Sequence, residues 1–369
     1  MTLIKVKSRG TDNVTSRKNL VINGAMQVAQ RGTSSTSSGY VVCDRFKTNK
    51  AGPDLTTTQH TLSTTDTPYS LGFRKSYQIH ITDPQTPNAA VDYAEIEHRV
   101  EAQNIANSGW NYTNPSSKIT LSFWVLSTVA GTYTVYVRDN DGTSGYSFDY
   151  TLSADTWKKV IHTIPGNSNL VFNSDNGAGL DMYFTLYYGT NYTGTKTDEV
   201  WATHSGSNQV GDYAQNILAT DEAKFEITGV QVEVGDSASD FEHRSFGEEM
   251  NLARRYYYQI GNTILPTSSS PPYGRVGQGQ AISSTTGRVP FFFPQPMRAI
   301  PTATVSNIQI GNGATGAISL ASAGIDTNTD SPDGVTIDFV VSSGLTTGQG
   351  CQAFQGNSSI GFIAFNAEL

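Results

Sequence analysis

Hydrophobic and polar residues alternate along the middle of the chain, from residue 119 onward. The segments ITLSFWVL (119–126) and TYTVYVR (132–138) alternate with a period of two, and DNDG (139–142) follows the second. Every second residue of YSFDYTL (146–152) is apolar as well. A period of two predicts half-buried strands, and Asn and Gly tolerate the positive φ of a hairpin turn. Further strands of this kind are predicted at 157–164, 180–188 and 225–234. Short strands separated by turn residues indicate a β-sandwich.

The stretch before residue 119 is less regular but predicts the same class of structure. NLVINGAMQVAQRG (19–32) opens with an apolar strand, and YSLGFRKSYQIHI (69–81) and YAEIEHRVEA (93–102) predict two more. We therefore assign residues 20–243 to one sandwich and expect its first and last strands to lie side by side.

The period changes at FGEEMNLARRYYYQI (246–260). Phe246, Met250, Ala253 and Tyr257 share one helical face, and Ser245 with a glutamate three positions later forms a capping-box pattern. This pattern predicts a short linking helix within residues 244–260.

After residue 260 the sequence predicts a small C-terminal β domain, 261–369. PTSSSPPYG (266–274) is typical of a linker or loop. Apolar strand patterns follow at 289–305, 334–342 and 359–368. The whole chain is thus predicted to be all-β apart from the helix.

Charge and composition exclude several classes of function. The net charge of −8 argues against nucleic-acid binding, which needs an excess of Lys and Arg. No apolar run approaches the ~18 residues of a membrane span, so we expect no membrane insertion. The N-terminus lacks the apolar segment of a signal peptide, so we expect synthesis in a cytoplasm without export. Cys43 and Cys351 are 308 positions apart and are expected to be buried thiols.

The N-terminal residues 1–19 differ in charge from the rest of the chain. Residues 1–18 hold five basic residues and one acidic residue. They are either a solvated tail or an arm that docks on a larger assembly.

Aromatic residues late in the sandwich form the candidate glycan-binding surface. A sugar presents apolar C–H faces edged by hydroxyls, so its site combines aromatic faces with polar neighbours. The polar segment 187–213 supplies such residues: Tyr187, Tyr188, Tyr192, Trp201 and Tyr213. The alternative is that some of them, such as Trp201, belong to the core.

Metal and catalytic chemistry is not indicated. In EIEHRVE (95–101), alternation puts Ile96, His98 and Val100 on one face and the charged residues on the other, which is typical of a strand. HExxH, GxSxG, a P-loop and a dinucleotide fingerprint are absent from the sequence. We therefore expect no enzyme activity, no metal and no cofactor.

Several segments resemble phage tail-fibre and virion-appendage proteins. The resemblance lies in NLVINGAMQVAQRGTS with GYVVCDRF, in FEITGVQVEVGDSASDFEHRSFGEEMNLARRYY, in VPFFFPQPMRAIPTATV and in the terminal IAFNAEL. The sandwich is also similar in layout to carbohydrate-binding jelly rolls. Those modules often hold calcium through acidic residues near the first strand, but INGAMQ has none.

The resemblance implies a non-enzymatic virion protein, a tail fibre that binds a host-surface glycan. It also implies a homotrimer in which residues 1–19 dock on other virion proteins. Leu252 and Tyr256 of the helix would then pack against their own copies at the three-fold axis, unless the helix folds back on its own sandwich. A head fibre or vertex decoration acting as a spacer is the alternative setting. A polysaccharide depolymerase is disfavoured because the sequence has no internal repeat.

Overall fold

The structure is a computed structural model that describes residues 18–85, 88–207, 209–261, 274–312, 316–356 and 361–369. The chain divides into two compact units, Met1–Arg244 and Ser245–Leu369. Residues 1–17 of the expected docking arm and 266–273 of the expected linker lie outside the described residues.

The first unit is built almost entirely from antiparallel strands. Its strands in the described residues are β1 (Ser34–Ser35), β2 (Phe46–Ala51), β3 (Asp54–Thr61), β4 (Lys75–Asp83), β5 (Tyr93–Glu101), β6 (Lys118–Ser127), β7 (Gly131–Asp139), β8 (Ser144–Leu152), β9 (Lys158–Pro165), β10 (Ala178–Tyr188), β11 (Ala202–Thr203) and β12 (Lys224–Val234). A short helix α1 (Ala102–Ala106) and 3₁₀ turns at Thr67–Leu71 and Ile217–Ala219 lie between them.

These strands form two antiparallel sheets. The first sheet has the order β1-β3-β4-β12-β6-β9, and the second has the order β11-β8-β7-β10-β5-β2. The inward faces of both sheets supply one core, which includes Phe123, Val135, Phe184 and Phe225. The predicted jelly-roll β-sandwich is confirmed by this topology.

The segment predicted as the first strand lies where we expected, but it is not a strand. Leu20 N donates to Val232 O (2.9 Å) and Val230 N donates to Gly24 O (3.0 Å), so residues 19–24 run beside β12. Asn23 and Met26 have φ values of 62° and 57°, which interrupt extended backbone. A Cβ at Gly24 would lie 2.1 Å from the Val230 carbonyl oxygen. The INGAM sequence is therefore a tight turn seated on the last strand.

The second unit begins with the helix and has its own core. Its described elements are α2 (Phe246–Arg254), β13 (Tyr257–Gly261), β14 (Arg275–Ala281), β15 (Thr286–Phe292), β16 (Thr302–Ser306), β17 (Ile308–Gly311), β18 (Ile318–Ser319), β19 (Ser322–Ile325), β20 (Gly334–Val340), β21 (Gly350–Gln355) and β22 (Phe362–Asn366). They form sheets of order β13-β22-β16 and β18-β17-β21-β14-β15-β20-β19. The core between them includes Phe291, Phe339 and Phe365.

The predicted helix is confirmed, with four corrections. Ser245 and Glu248 make both hydrogen bonds of the capping box. However, Tyr257 belongs to β13, and Phe246 is 56% exposed, so neither contributes to a buried helical face.

Tyr256 is fully buried in its own chain, where Ala367 N donates to its carbonyl oxygen (2.8 Å), so it has no surface left for contact with a copy of itself. Leu252 is half-buried. The helix belongs to the second unit and is not a separate segment.

No helix in the described part of the chain is long and apolar enough to cross a bilayer.

Candidate functional site

The face of the second sheet that points away from the core is polar and largely covered. On β5, Ile96 and Val100 enter the core, as the alternation predicted. Glu95 and Glu97 lie on the opposite, charged face, yet they are only 5% and 1% exposed. Covered carboxylates on a sheet face require partners, because burying a lone charge is costly.

Neighbouring strands supply these partners. Asn49 Nδ2 of β2 donates to Glu95 Oε1 and to Glu97 Oε2, both at 2.7 Å. Lys47 Nζ donates to Glu97 Oε2 at 3.1 Å. Arg99 also pairs with Glu97 and lies 3.6 Å from Asp181 Oδ1 of β10. A charged network thus crosses β2, β5 and β10.

The network sets unequal pKa values for its carboxyl groups. Burial raises the pKa of Glu95 to about 7, although hydrogen bonds from Tyr188 and Asn49 act in the opposite direction. Burial also raises the pKa of Asp181 to about 6, against the effect of Arg99. For Glu97, burial is outweighed by Arg99 and Lys47, so its pKa is lowered. Two of these carboxyl groups therefore titrate near neutral pH.

A cleft of about 190 Å³ opens beside this network. It is lined by Tyr93, Glu95, Arg138, Tyr183, Tyr188, Tyr192, His204 and Gln209. We call it the tyrosine cleft. The strands β5, β7 and β10 supply the first five of these residues, and the segment after β10 supplies the rest.

Three tyrosine rings meet edge to face at the tyrosine cleft. The ring centroids of Tyr93 and Tyr192 are 5.4 Å apart, and those of Tyr188 and Tyr192 are 5.6 Å apart. A bulge in β10 between Thr185 and Tyr187 brings Tyr188 opposite Tyr93. In this position the hydroxyl of Tyr188 donates to Glu95. Tyr93 and Tyr192 are half-buried, so part of each ring is open to a ligand.

Arg138 and His204 add polar groups to the same cleft. Among the described residues, Arg138 Nε is buried without a hydrogen-bond partner. His204 Nδ1 shares a hydrogen bond of 2.7 Å with Tyr136 OH. Burial lowers the pKa of His204, so its imidazole is neutral at pH 7. The cleft is therefore lined by aromatic rings, a carboxyl group and a guanidinium group.

The predicted aromatic residues fall into three groups. Tyr188 and Tyr192 line the tyrosine cleft. Tyr187 and Tyr213 lie outside its lining and pack on each other, with ring centroids 5.7 Å apart. Trp201 is corrected to a core residue, because it is 8% exposed and its Nε1 donates to Pro165 O at 2.7 Å.

Sequence reasoning missed most of the remaining lining. Tyr93 and Glu95 share one face of β5, and Tyr183 occupies the matching face of β10. These residues could have been found by comparing the polar faces of different predicted strands. A search for aromatic residues within the single segment 187–213 cannot find them. Arg138 and His204 gave no signal in the sequence.

No group of three or more His, Cys, Asp and Glu side chains among the described residues is placed to hold a metal ion.

A scan against protein-family models finds no matching family, and a search of curated protein sequences finds no match. A search of solved structures gives matches to part of this chain. The enzymatically active domain of tailspike protein 4 from bacteriophage CBA120 is 10% identical, with a TM-score of 0.30, over 59% of this chain and 21% of the tailspike chain. The N-terminal cellulose-binding domain of β-1,4-glucanase C from Cellulomonas fimi is 9% identical, with a TM-score of 0.28, over 57% of this chain and 99% of the domain. A cyclase from Fischerella sp. TAU is 8% identical, with a TM-score of 0.33, over 60% of this chain and 99% of the cyclase.

The match therefore spans about a fifth of the tailspike chain and nearly all of the other two. All three TM-scores lie below 0.5, so the fold class stands on the sheet order given above.

Proposed function

We propose that this chain is a structural protein of a bacteriophage virion, a tail fibre whose first unit binds a glycan on the host surface. The tyrosine cleft carries the proposal. The exposed parts of the Tyr93 and Tyr192 rings can stack on the C–H face of a sugar. Arg138 and Glu95 can form hydrogen bonds with its hydroxyl groups. A cleft of about 190 Å³ is smaller than a typical ligand pocket, so it is expected to hold one sugar unit and to bind it weakly.

The virion setting is supported by the sequence segments that resemble phage appendage proteins. In this setting the chain is a homotrimer, and residues 1–19 attach it to other virion proteins. Repeated weak sites on one particle raise the effective affinity by avidity, so no single site needs to bind tightly. The protein needs no cofactor or metal for this task.

Binding of host-cell polysaccharide to the purified protein tests the glycan proposal. We expect Tyr192→Ala to lower the affinity about tenfold or more, because stacking on an open ring is lost. Tyr112→Ala is the matched control, since Tyr112 is also half-buried in the first unit but lies outside the cleft. Equal binding by the wild type and both variants would exclude the cleft as the binding site.

Glu95 makes a polysaccharide hydrolase the competing function of the same cleft. Its pKa of about 7 suits a carboxyl group that donates a proton at neutral pH, as a general acid does. Incubation of host polysaccharide with the protein separates the two functions. We expect no new reducing ends; their appearance with the wild type and their loss with Glu95→Gln would overturn the non-enzymatic proposal.

A further inference from the structure

A second cleft, of about 330 Å³, lies on the first sheet. We call it the tryptophan cleft. Its floor comes from Ser122 and Trp124 of β6, Lys159 of β9 and Gly229 of β12. Phe123 and Val125 of β6 enter the core, so Trp124 is on the opposite, outward face. The two clefts therefore lie on opposite sides of the sandwich.

One wall of the tryptophan cleft is a packed group of rings. Phe73, Phe241 and His243 have ring centroids 4.9 Å apart in each pair. Phe73 is seated on Gly229, where a Cβ would lie 2.7 Å from the ring and where φ is +64°. His243 Nε2 lies 3.0 Å from the Leu71 carbonyl oxygen, which joins the segments before β4 and after β12. The wall is thus fixed by packing before any ligand arrives.

The groups that face this wall are not engaged elsewhere. Within the described residues, the indole N–H of Trp124, the ammonium of Lys159 and the carboxylate of Asp240 make no hydrogen bond or ion pair. Trp124 packs against the apolar cluster that contains Phe73, but it is only half-buried, so part of its side chain stays exposed in the cleft. One cation and one carboxylate in the lining leave the cleft close to neutral.

We propose that the tryptophan cleft is a second saccharide site, which binds a neutral hexose. The open face of Trp124 takes the C–H face of the sugar, and the N–H, ammonium and carboxylate groups take its hydroxyls. The balanced charge of the lining favours a neutral sugar over an anionic one. The volume lies at the lower end of ligand pockets, as a short saccharide requires. The inference stands apart from the tyrosine cleft, since the two linings share no residue.

Fluorine NMR of the full-length protein labelled with 5-fluorotryptophan gives a site-specific test. The chain has four tryptophans, at positions 110, 124, 157 and 201, so Trp→Phe variants assign each signal. The probes are glucose, galactose, mannose and N-acetylglucosamine. Each sugar is titrated to a concentration of about ten times its expected dissociation constant, which lies in the millimolar range. We expect a saturable shift of the Trp124 signal with at least one sugar, while the signals of the buried Trp110 and Trp201 stay fixed. An unchanged Trp124 signal with all four sugars would refute the proposal.

Lysine variants distinguish a specific binding site from non-specific contact of the sugar with the exposed part of the Trp124 ring. Lys159→Ala is expected to weaken the binding measured at Trp124 about fivefold or more, because a charged donor is removed. Lys158→Ala is the matched control, since Lys158 donates to Thr151 O (2.8 Å) and does not line the cleft. Equal weakening by both variants, or by neither, would count against the site. Tyr192→Ala should leave the Trp124 shift intact, so loss of one site does not mimic loss of the other.

Discussion

At the scale of single residues, Glu95 links the stability of the first unit to its cleft. It is buried on a sheet face, accepts hydrogen bonds from Asn49 and Tyr188, and lines the tyrosine cleft. Its pKa in the folded protein is about 7, above the ordinary value of 4.5. The folded state therefore binds a proton that the unfolded state releases between these two pH values.

This difference predicts a pH-dependent stability. Because the folded pKa is raised, the contribution of Glu95 is fully present below about pH 4.5 and is lost as the pH rises through 7. The free energy of unfolding of the wild type should decrease between pH 5 and 8, and we expect this decrease to be smaller by roughly 2–3 kcal/mol in Glu95→Gln. Urea unfolding at the two pH values measures it. Asp221→Asn, at an exposed position, is the control and should leave the slope unchanged. A Glu95→Gln variant with the slope of the wild type would contradict the proton linkage.

Asn23 holds the turn that opens the sandwich. Its Nδ2 donates to Val28 O (2.8 Å) and Asp44 O (2.9 Å), and its Oδ1 accepts from Val28 N (2.9 Å). Asn23→Ala should lower the free energy of unfolding by roughly 2–4 kcal/mol, because buried backbone groups lose their partners. Asn23→Gly separates the causes: it accepts the φ of 62° but lacks the amide. If Asn23→Gly has the stability of the wild type, the positive φ and not the hydrogen bonds explains why Asn stands at position 23.

At the scale of elements, a cap and a strand pairing define the start of the second unit. Ser245 caps α2, and β13 follows at once and pairs with β22 near the C-terminus. Arg298 N donates to Arg255 O (2.7 Å) just after the helix. The helix is therefore the first element of the second unit, which accounts for the helical pattern at this place in the sequence.

Loss of the cap should destabilise the second unit modestly. Ser245→Ala removes the side-chain acceptor for Glu248 N and is expected to lower the free energy of unfolding by about 1 kcal/mol. Ser245→Asp keeps an acceptor at the same place and should stay close to the wild type. Thermal unfolding of the three proteins measures the effect. An equal loss in both variants would show that the hydroxyl, and not the cap, matters.

Local periodicity predicted the elements that depend on local signals. The alternation of β5 gave the inward positions Ile96 and Val100, and the capping box gave the start of α2. The tyrosine cleft was predicted only in part, because its lining joins strands distant in the sequence. For Trp201 the sequence left a binding surface and the core as alternatives, because its polar neighbours in sequence do not show that its ring enters the core. The bulge that places Tyr188 beside Glu95 also has no local sequence signal.

At the scale of the whole molecule, the buried position of Tyr256, just after α2, limits how copies of the chain can associate near this helix. Of the two residues predicted at a three-fold axis, only Leu252 keeps some exposed surface. The proposed homotrimer therefore needs other surfaces, such as the exposed side chains of Phe292 (81%) and Ile300 (51%) in the second unit.

The trimer itself has a direct test in solution. Light scattering of the purified protein at micromolar concentration should give a mass three times that of one chain. Phe292→Ser should lower the mass if that side chain lies in the trimer contact, whereas Val234→Ser, at an exposed position of the first unit, should not. A monomer for the wild type would contradict the trimer of the free protein.

Competition for adsorption tests whether the protein binds the host surface through the tyrosine cleft. Purified full-length protein is added to host cells before the phage, and free particles are counted over time. We expect adsorption to slow with the dose of wild-type protein and of Tyr112→Ala, but much less with Tyr192→Ala. If saturating wild-type protein leaves adsorption unchanged, the receptor-binding claim fails and a spacer or head decoration becomes the better account.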